Sequence, residues 1–432
     1  MIKGIEDRGS AVNGRRRAGV LIAVMAGLSL ILGGCTSTPV KEAAGQASPS
    51  PKQPPEVTLT PEADADKVPI SAEIGTKVAN GKVTSVVLTD DKGKQVEGAL
   101  REDGTSWVPK TSLAHKRSYT AEVTATNDAG MTTTQSTKFT TMARPARQST
   151  TTLHFDDNRT YGVAMPVTVR FETPVPKEAR ASAERRLFVQ TDPPQRGVWH
   201  WVADGSQAFY RAPDYWQPGT TITVRSALGG HPLGGGSYGD TDRTATAKIG
   251  GKVTVDVDSA TKRLSVYDND KLVKSMPVSL GKPSTPTSTG TMVIMEKAES
   301  TIFDTFAELG PAEGYRVAVD HAQRLTWGGE FIHSAPWSVG DQGRRNVSHG
   351  CLNLSPANAR WLFGITKVGD PVTVRNTEAG LTAGNGWTAW DMSWEEYVKG
   401  SALPVPQDLQ PTPNASAAAN GVPSTGPSKS VR

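Results

Sequence analysis

The sequence predicts a mainly β protein with only one or two short helices. Alternating runs of polar and apolar residues, many of them β-branched, recur along residues 57–250 and again along 251–376. The 43 Gly and 30 Pro residues supply frequent turns between these runs. Within these two regions, only residues 355–363 combine an N-terminal capping signal with helical spacing of apolar side chains. We therefore expect three β-rich domains in series, which suits a length of 432 residues.

The N-terminus has the features of an export signal. A basic triplet at residues 15–17 precedes an apolar run over 18–32 that is followed by two glycines. The run is shorter and richer in glycine than a membrane span of about 20 residues; a retained hydrophobic anchor is the alternative. The Leu-Gly-Gly-Cys stretch ending at Cys35 resembles the bacterial lipobox. That resemblance implies removal of residues 1–34, a lipid on Cys35 and anchoring to the outer face of the cell membrane.

Composition and spacing argue against two broad classes of partner. The net charge of +4 is small for this length and provides no basic footprint of the kind that nucleic-acid binding needs. His200 lies between two tryptophans, and no Cys, His or carboxylate cluster with metal-site spacing surrounds it. We interpret His200 as a packed or surface residue. The sequence therefore predicts no nucleic-acid partner, no metal and no cofactor.

Two β-sandwiches are predicted in the first half of the chain. They follow residues 35–56, a flexible tether rich in Ala, Ser, Pro, Lys and Gln. Short alternating runs such as 83–89 and 119–126 are separated by turn residues. Residues 57–145 and 146–250 each match an immunoglobulin-like sandwich in strand count and spacing, without its Cys…Trp…Cys marker.

A third β-rich domain is predicted over residues 251–376. Its first strands are short alternating runs joined by hairpin turns. The helix at 355–363 has Ser355 as its N-cap and Pro356 at its first position, and we expect it to end at Gly364.

The third domain contains a candidate catalytic thiol. Cys351 is the only cysteine beyond Cys35, and it follows His349 and, further upstream, His333. Cysteine is a good nucleophile as the thiolate, which a nearby imidazole promotes. Gly350 lets the backbone bend tightly beside the sulfur, so that N–H groups can converge on an oxyanion. The alternative is a buried, inert cysteine that serves packing alone.

Residues 251–376 resemble an L,D-transpeptidase catalytic domain of the YkuD type. The full chain, with its lipobox and two immunoglobulin-like modules, resembles the actinobacterial (mycobacterial-type) L,D-transpeptidases from residue 35 to about 400. The motifs that carry the resemblance are Ser279-Leu280-Gly281-Lys282, Pro286-Thr287 with Gly290, His333-Ser334-Ala335-Pro336-Trp337, and Ser348-His349-Gly350-Cys351-Leu352-Asn353-Leu354-Ser355.

The resemblance assigns roles to particular residues. It implies that Cys351 is the nucleophile, that His333 is the general base and acid, and that the Ser334 carbonyl orients the His333 ring. Backbone N–H groups around Gly350 and Cys351, together with Tyr315, would form the oxyanion hole. The residues implied to hold the substrate are Tyr315, Gly328, Gly329, Ser348, His349 and Asn353.

The resemblance also implies a reaction in the cell wall. The thiolate attacks a peptidoglycan tetrapeptide stem between diaminopimelate and D-alanine, and a second stem's amine then takes the acyl group to give a 3→3 cross-link. Carbapenems would acylate the same thiol. Two alternatives stay open, an L,D-carboxypeptidase with water as acceptor and a non-catalytic wall-binding lipoprotein. A lipid on Cys35 would leave Cys351 as the thiol exposed to the wall.

Two further segments carry expectations. Residues 299–314 are a variable loop in the position of the family's lid, with Phe303 in the place of an apolar lid residue. Residues 377–403 form a Trp-rich subdomain in which Trp387, Trp390, Trp394 and Tyr397 recur at helical spacing. We expect an amphipathic helix packed on the third domain; a glycan-stacking platform is the alternative. Residues 404–432 are rich in Pro, Ser, Ala and Gly and predict a disordered tail.

Overall fold

The first sandwich, residues 56–141, stacks two four-stranded sheets. Along β7, Tyr119, Ala121 and Val123 are buried while the intervening residues face outward, as a period of two requires. The sheet orders are β1-β3-β6-β5 and β2-β8-β7-β4. The strands are β1 (Glu56–Thr60), β2 (Ala65–Val68), β3 (Ile74–Ala79), β4 (Lys82–Asp90), β5 (Gly98–Leu100), β6 (Ser106–Pro109), β7 (Ser118–Thr126) and β8 (Thr132–Thr141).

A computed structural model provides this description, and it covers residues 53–314 and 316–411. Cys35 and Tyr315 lie outside the described residues. Within the two covered ranges, no helix combines the length and apolar character that crossing a bilayer demands.

The second sandwich, residues 148–249, has the sheet orders β10-β12-β15-β14 and β11-β19-β16-β13, with a small sheet β17-β18-β9. Its elements are β9 (Gln148–Ser149), β10 (Thr151–His154), β11 (Thr160–Tyr161), β12 (Val167–Phe171), α1 (Lys177–Glu184), β13 (Leu187–Asp192), β14 (Val198–Trp201), β15 (Gln207–Arg211), β16 (Thr221–Ser226), β17 (Pro232–Gly234), β18 (Ser237–Gly239) and β19 (Arg243–Ile249). Helix α1 occupies a stretch expected to be a loop; buried Glu184 at its end accepts a hydrogen bond from the Trp201 indole at 2.8 Å.

The third domain, residues 253–375, packs a six-stranded sheet (β22-β21-β20-β28-β23-β29) with a four-stranded sheet (β24-β25-β26-β27). The apolar faces of both sheets and one face of α3 share a core. The elements are β20 (Val253–Asp258), β21 (Arg263–Asp268), β22 (Lys271–Pro277), β23 (Ser288–Val293), β24 (Glu296–Asp304), α2 (Phe306–Glu313), β25 (Arg316–Arg324), β26 (Phe331–Ser334), a 3-10 turn (Pro336–Ser338), β27 (Leu352–Leu354), α3 (Pro356–Ile365) and β28 (Pro371–Arg375); β29 (Ala379–Gly380) follows the domain.

Helix α3 begins as the sequence predicts but ends later. The Ser355 hydroxyl accepts from the Asn358 N–H at 3.3 Å, and Pro356 occupies the first turn. The expected stop at Gly364 is wrong, because the helix continues to Ile365 and the Thr366 N–H closes its last turn on the Leu362 carbonyl at 3.0 Å.

The C-terminal segment, residues 377–411, contains the short strand β29, a short helix, α4 (Trp394–Val398), and a 3-10 turn (Gln407–Leu409). The Ser393 hydroxyl caps α4 by accepting from the Glu396 N–H at 3.2 Å. The expected helical stripe is wrong, because Trp387 and Trp390 lie in turns before α4. Trp387 and Tyr397 are buried in an apolar cluster of the second sandwich to which Val293 and Met295 of the third domain also belong. The segment therefore packs on the second sandwich as well as on the third domain, where Asp391 and Asn385 accept backbone hydrogen bonds.

A buried arginine holds the C-terminal segment on the second sandwich. Arg211 of β15 is 2% exposed, and its guanidinium donates to the Ala389 carbonyl at 2.8 Å and the Met392 carbonyl at 3.2 Å. Three rings of the segment surround it, with the guanidinium carbon 4.3 Å from the Trp390 centroid, 5.2 Å from Trp394 and 4.2 Å from Tyr397. Among the described residues, this arrangement fixes the Arg211 cation by carbonyls and rings and without an ion pair to a carboxylate.

The second sandwich and the third domain share a core. Val293 and Met295, from the third domain, belong to the same apolar cluster as the interior of the second sandwich. The Gly162 N–H donates to the Val368 carbonyl at 2.8 Å, across the joint. Asp370, fully buried, lies beside Gly162, where an added Cβ would come within 2.1 Å of the carboxyl oxygen.

The joint between the two sandwiches is polar. Glu73 of the first sandwich accepts from Arg101 of the same sandwich and from Arg186 of the second, both at 2.6 Å. His231 of the second sandwich lies between two hydroxyls, with Ser71 at 3.0 Å from Nδ1 and Ser182 at 3.0 Å from Nε2. The two guanidiniums hold the pKa of Glu73 at about 2, against the opposing effect of burial.

Candidate active site

Two parallel strands bring the predicted catalytic residues together. β26 and β27 pair in register, with His333 opposite Asn353 and Ser334 opposite Leu354. Cys351 precedes β27 by one residue, so its side chain lies at the edge of the same sheet as His333. Residues distant in sequence therefore become neighbours through strand pairing.

The Cys351 thiol is 7% exposed, and it is the free cysteine of the described residues. Its sulfur lies 3.7 Å from the Gly329 carbonyl oxygen, an S–H···O contact. Burial raises the pKa of the thiol to about 12; a hydrogen bond from the Phe331 backbone opposes the rise and the Glu330 charge adds to it. At neutral pH the resting sulfur therefore carries a proton.

The His333 ring is buried and oriented by its neighbour. Nδ1 donates to the Ser334 carbonyl oxygen at 2.8 Å, which leaves Nε2 as the acceptor nitrogen. Burial lowers the pKa of His333, so the ring is neutral at neutral pH. A neutral imidazole with a free acceptor nitrogen is the state that a general base requires.

The turn before Cys351 is held by hydrogen bonds within itself. The Ser348 hydroxyl donates to the Cys351 carbonyl at 2.6 Å and accepts from the Gly350 N–H at 3.1 Å. Gly350 has φ +121°, a conformation that favours glycine. Use of the Gly350 N–H in an oxyanion hole does not fit this conformation, because Ser348 already engages it. The Cys351 N–H stays a prediction for that role, and Tyr315 lies outside the described residues.

The other predicted substrate residues fall into two groups. Gly328 and Gly329 are exposed and form the rim beside the sulfur. His349 is half-buried, with Nε2 at 3.2 Å from the Lys282 ammonium. Asn353, by contrast, is 3% exposed and donates from its amide to the Ser338 hydroxyl at 3.1 Å. This geometry favours a positioning role for Asn353, and direct contact with a stem stays a prediction.

Residues 299–314, expected as a loop, extend β24 and add α2. The hairpin of β24 and β25 pairs as far as Asp304 with Arg316. Phe303 contacts Phe331 at 4.6 Å and the His333 ring edge at 5.2 Å between centroids. Ile302 and Phe306 are 56% and 47% exposed. The hairpin thus covers His333 with one ring and presents apolar side chains to solvent.

Two residues near the thiol were missed by the sequence reasoning. Glu330 accepts from the Ser288 N–H at 2.8 Å, and its second carboxylate oxygen is buried without a hydrogen-bond partner. Asn385 of the C-terminal segment accepts from the Gly328 N–H at 2.8 Å and so supports the rim. Glu330 lies inside the motif region and could have been noticed as an ionisable residue in an otherwise apolar strand start. Nothing in sequence places Asn385 there.

The described part of the chain contains no group of three or more His, Cys, Asp and Glu side chains suited to hold a metal ion. The described residues at the site offer a thiol, an imidazole and backbone groups. Such a set performs nucleophilic acyl transfer.

Family models and relatives agree with this arrangement. The family model described as a bacterial Ig domain matches residues 65–232, and that of the L,D-transpeptidase catalytic domain matches residues 252–374. The L,D-transpeptidase 2 of Mycobacterium tuberculosis is 34% identical over 388 residues, which are 89% of this chain and 94% of the relative. L,D-transpeptidase 5 of the same species is 33% identical and covers 87% of this chain and 82% of its own length.

A solved LD transpeptidase in complex with imipenem is 33% identical to this chain, covers 54% of it and 100% of its own chain, and superposes with a TM-score of 0.45. The two matched models lie in the order that the fold shows, immunoglobulin-like modules first and the thiol-bearing domain second. On the extent of the match to L,D-transpeptidase 2, with His333 on β26 and Cys351 directly before the adjoining β27, this chain belongs to the L,D-transpeptidase family.

Proposed function

We propose that this L,D-transpeptidase forms 3→3 peptidoglycan cross-links by acyl transfer through Cys351. The observation that carries the proposal is the His333–Ser334 hydrogen bond of 2.8 Å, which leaves Nε2 to accept the thiol proton. Family membership supports the substrate class, a tetrapeptide stem as donor and a second stem as acceptor.

The first half-reaction forms a thioester. The sulfur of Cys351 adds to the carbonyl carbon between diaminopimelate and the terminal D-alanine, and its proton passes to Nε2 of His333. The tetrahedral intermediate collapses when the bond to D-alanine breaks. His333 returns the proton to the leaving nitrogen, so D-alanine departs with a neutral amine and the acyl group remains on sulfur.

The second half-reaction regenerates the thiol. The side-chain amine of a second stem's diaminopimelate attacks the thioester carbon, and His333 takes a proton from that amine. The carbon–sulfur bond breaks, the proton returns to sulfur, and an amide joins the two stems. Because the resting thiol is protonated, the reaction depends on proton transfer within this pair at both stages.

Incubation of the purified protein with a disaccharide-tetrapeptide, analysed by mass spectrometry, tests the proposal. A cross-linked dimer with loss of D-alanine is the expected product. Monomer that has lost D-alanine without dimer would instead establish a carboxypeptidase. Absence of both products would point to a non-catalytic protein. We expect Cys351→Ala and His333→Ala to abolish the dimer and His349→Ala only to weaken turnover.

Acylation by a carbapenem is a second proposal for the same thiol. A strained lactam is an acyl donor, and ring opening by Cys351 leaves a stable adduct on sulfur. Imipenem is the probe, since a solved relative binds it. Intact-mass measurement should show one adduct, lost in Cys351→Ala; an adduct retained in that variant would contradict the assignment.

Anchoring is a third proposal, which rests on the lipobox-like sequence before Cys35. We propose that the lipidated protein lies on the extracytoplasmic face of the cell membrane and reaches into the wall. Fractionation of cells that express the full chain should place it with membranes, and Cys35→Ala should release it. Equal membrane retention of both would favour a retained hydrophobic anchor.

A further inference from the structure

Glu330 places a second ionisable group beside the thiol. Glu330 lies directly before β26, between Gly329 of the rim and Phe331. An added Cβ on Gly350 would lie 3.5 Å from the Glu330 Cγ and 3.8 Å from its Oε1, so the carboxyl group abuts the turn that carries Cys351. This contact is distinct from the His333 pair.

The two carboxyl oxygens of Glu330 are in different situations. Oε1 accepts the Ser288 N–H at 2.8 Å and so links the start of β23 to the residue that precedes β26. Oε2 is fully buried and has no hydrogen-bond partner in the described residues. A buried, half-satisfied carboxyl group costs stability, because the lost hydration of one oxygen is not replaced. Such a cost beside a reactive sulfur favours a functional explanation.

The neighbouring charged groups are engaged elsewhere. Arg324 on β25 pairs with Glu296 at 3.0 Å and lies 4.5 Å over the Phe331 ring. Lys282, on the loop after β22, faces His349 of the catalytic turn at 3.2 Å. The titratable groups on the elements packed around Glu330 are then Cys351 and His349 on the turn, His333 on β26, Lys282 on the neighbouring loop and Arg324 on β25.

We propose that Glu330 is a positioning residue that keeps the proton on the Cys351 sulfur until an acyl donor is bound. Its negative charge opposes a second negative charge on the nearby thiolate, while its Ser288 hydrogen bond fixes the carboxyl group against the turn. The proton then leaves sulfur only when a bound carbonyl carbon and His333 Nε2 act together. A soft electrophile that contains no peptide stem therefore reacts slowly, because the thiol stays protonated and is a poor nucleophile.

The directions of the pKa shifts agree with this proposal. Burial raises the pKa of Glu330, and the Ser288 backbone, the Ser288 side chain and the Thr326 side chain oppose the rise. The Glu330 charge in turn raises the pKa of Cys351, after the larger effect of burial. Glu330 therefore ionises before the thiol as pH rises, and its effect on sulfur is present only above its own pKa.

The test is alkylation of Cys351 by iodoacetamide, followed by mass spectrometry on the peptide that contains it, between about pH 5 and pH 9. Glu330→Gln keeps an oxygen that can accept from Ser288 but removes the charge. We expect the wild-type and variant proteins to react equally at the acidic end. Above the pKa of Glu330 they should diverge, with the variant faster by about tenfold, which corresponds to one pKa unit of the thiol.

Three further measurements make the outcome decisive. Glu378→Gln, which neutralises an exposed carboxylate, should leave the profile unchanged. Glu330→Asp keeps the charge and should stay close to wild type. The wild-type profile alone should show a bend where Glu330 ionises, which requires no variant to fold. Profiles of wild type and Glu330→Gln that coincide throughout, without that bend, would overturn the inference.

The inference rests on Cys351 being the reactive thiol of the proposed function, but its test does not use turnover. If the pH profile of alkylation bends but no cross-linked product forms, the cross-linking proposal is wrong and the role of Glu330 is supported. If cross-linked product forms but the alkylation profiles of wild type and Glu330→Gln coincide, the role of Glu330 is wrong and the cross-linking proposal is supported.

Discussion

The joint between the two sandwiches and the joint between the second sandwich and the third domain are built from different chemistry. The first relies on Glu73 between two guanidiniums and on His231 between two hydroxyls. The second is continuous apolar core, to which Val293 and Met295 contribute from the third domain. Buried polar contacts depend on complete partners, whereas apolar contacts depend on fit. The two joints should therefore fail in different ways.

The difference also bears on the active site. The C-terminal segment packs on the second sandwich through Arg211 and supports the Gly328 rim through Asn385. A change at the second joint can therefore alter the position of the rim beside the Cys351 thiol. Within the described residues, the polar joint involves side chains of the sandwiches alone. Loss of that joint should lower stability while activity of the third domain persists.

The largest effect is expected from Arg211→Ala. The substitution removes a buried cation, its hydrogen bonds to Ala389 and Met392 and its contacts with three rings. We expect a loss of about 4 kcal/mol in the free energy of unfolding, because buried carbonyls lose their donor and the removed side chain leaves a cavity. Urea denaturation measures it, and Arg159→Ala, at an exposed ion pair, is the matched control with little change. Equal effects would show that the segment is not held by Arg211.

A somewhat smaller effect, about 3 kcal/mol, is expected from Glu73→Gln, because Arg186 is left 4% exposed without a carboxylate. The pKa of Glu73 is lowered to about 2 from 4.5, so its contribution is complete above pH 4.5 and is lost as pH falls through about 2. The variant should lose this acid-dependent component in a thermal melt series and retain turnover. Loss of turnover in Glu73→Gln would contradict the contrast between the joints.

An intermediate effect with the opposite pH dependence is expected at Asp370. Burial raises its pKa from 3.8 to about 7, so the folded protein prefers the neutral acid. Stability should be unaffected by this group below pH 3.8, fall between 3.8 and about 7, and stay low above that. Asp370→Asn should flatten the curve and raise the free energy of unfolding at high pH by about 1–2 kcal/mol. A variant less stable than wild type at high pH would refute this.

The smallest effect is expected from Asn385→Ala. It removes the acceptor for the Gly328 N–H and leaves the rim less restrained. We expect turnover to fall by about fivefold, equivalent to about 1 kcal/mol, with the melting temperature nearly unchanged. Asn385→Asp retains an acceptor oxygen and should restore turnover. A fall in stability without a change in turnover would place Asn385 in the joint and not at the site.

Local patterns predicted the elements better than their partners. The alternation in β7 and the Ser355 cap of α3 depend on neighbours in sequence, and the structure confirms both. The spacing of Trp387 and Trp390 suggested a helix, but both rings are recruited by the second sandwich, and burial there outweighs helical propensity. Contacts between residues so distant in sequence produce no periodic pattern in the sequence.

The candidate site divides in the same way. Cys351 and His333 lie in motifs that can be read from the chain, and strand pairing brings them together. The Glu330 backbone bonds to nearby Thr326, but its carboxyl contact with Ser288 joins residues that are distant in sequence. Asn385 comes from a segment after the domain. The Gly350 N–H is a further contact that the motif does not predict. It donates to the Ser348 hydroxyl, and this depends on a side-chain orientation that the sequence motif does not specify.

The shared core has a consequence for recombination among genes. A domain can be exchanged as a cassette where few apolar contacts cross its boundary. Val293 and Met295 come after the domain boundary near residue 250, yet they pack in the interior of the second sandwich, which comes before that boundary. A crossover there would pair mismatched halves of one core and expose apolar surface in both. The second sandwich, the third domain and the C-terminal segment should thus be inherited as one block, with length variation arising by gain or loss of sandwiches on its N-terminal side.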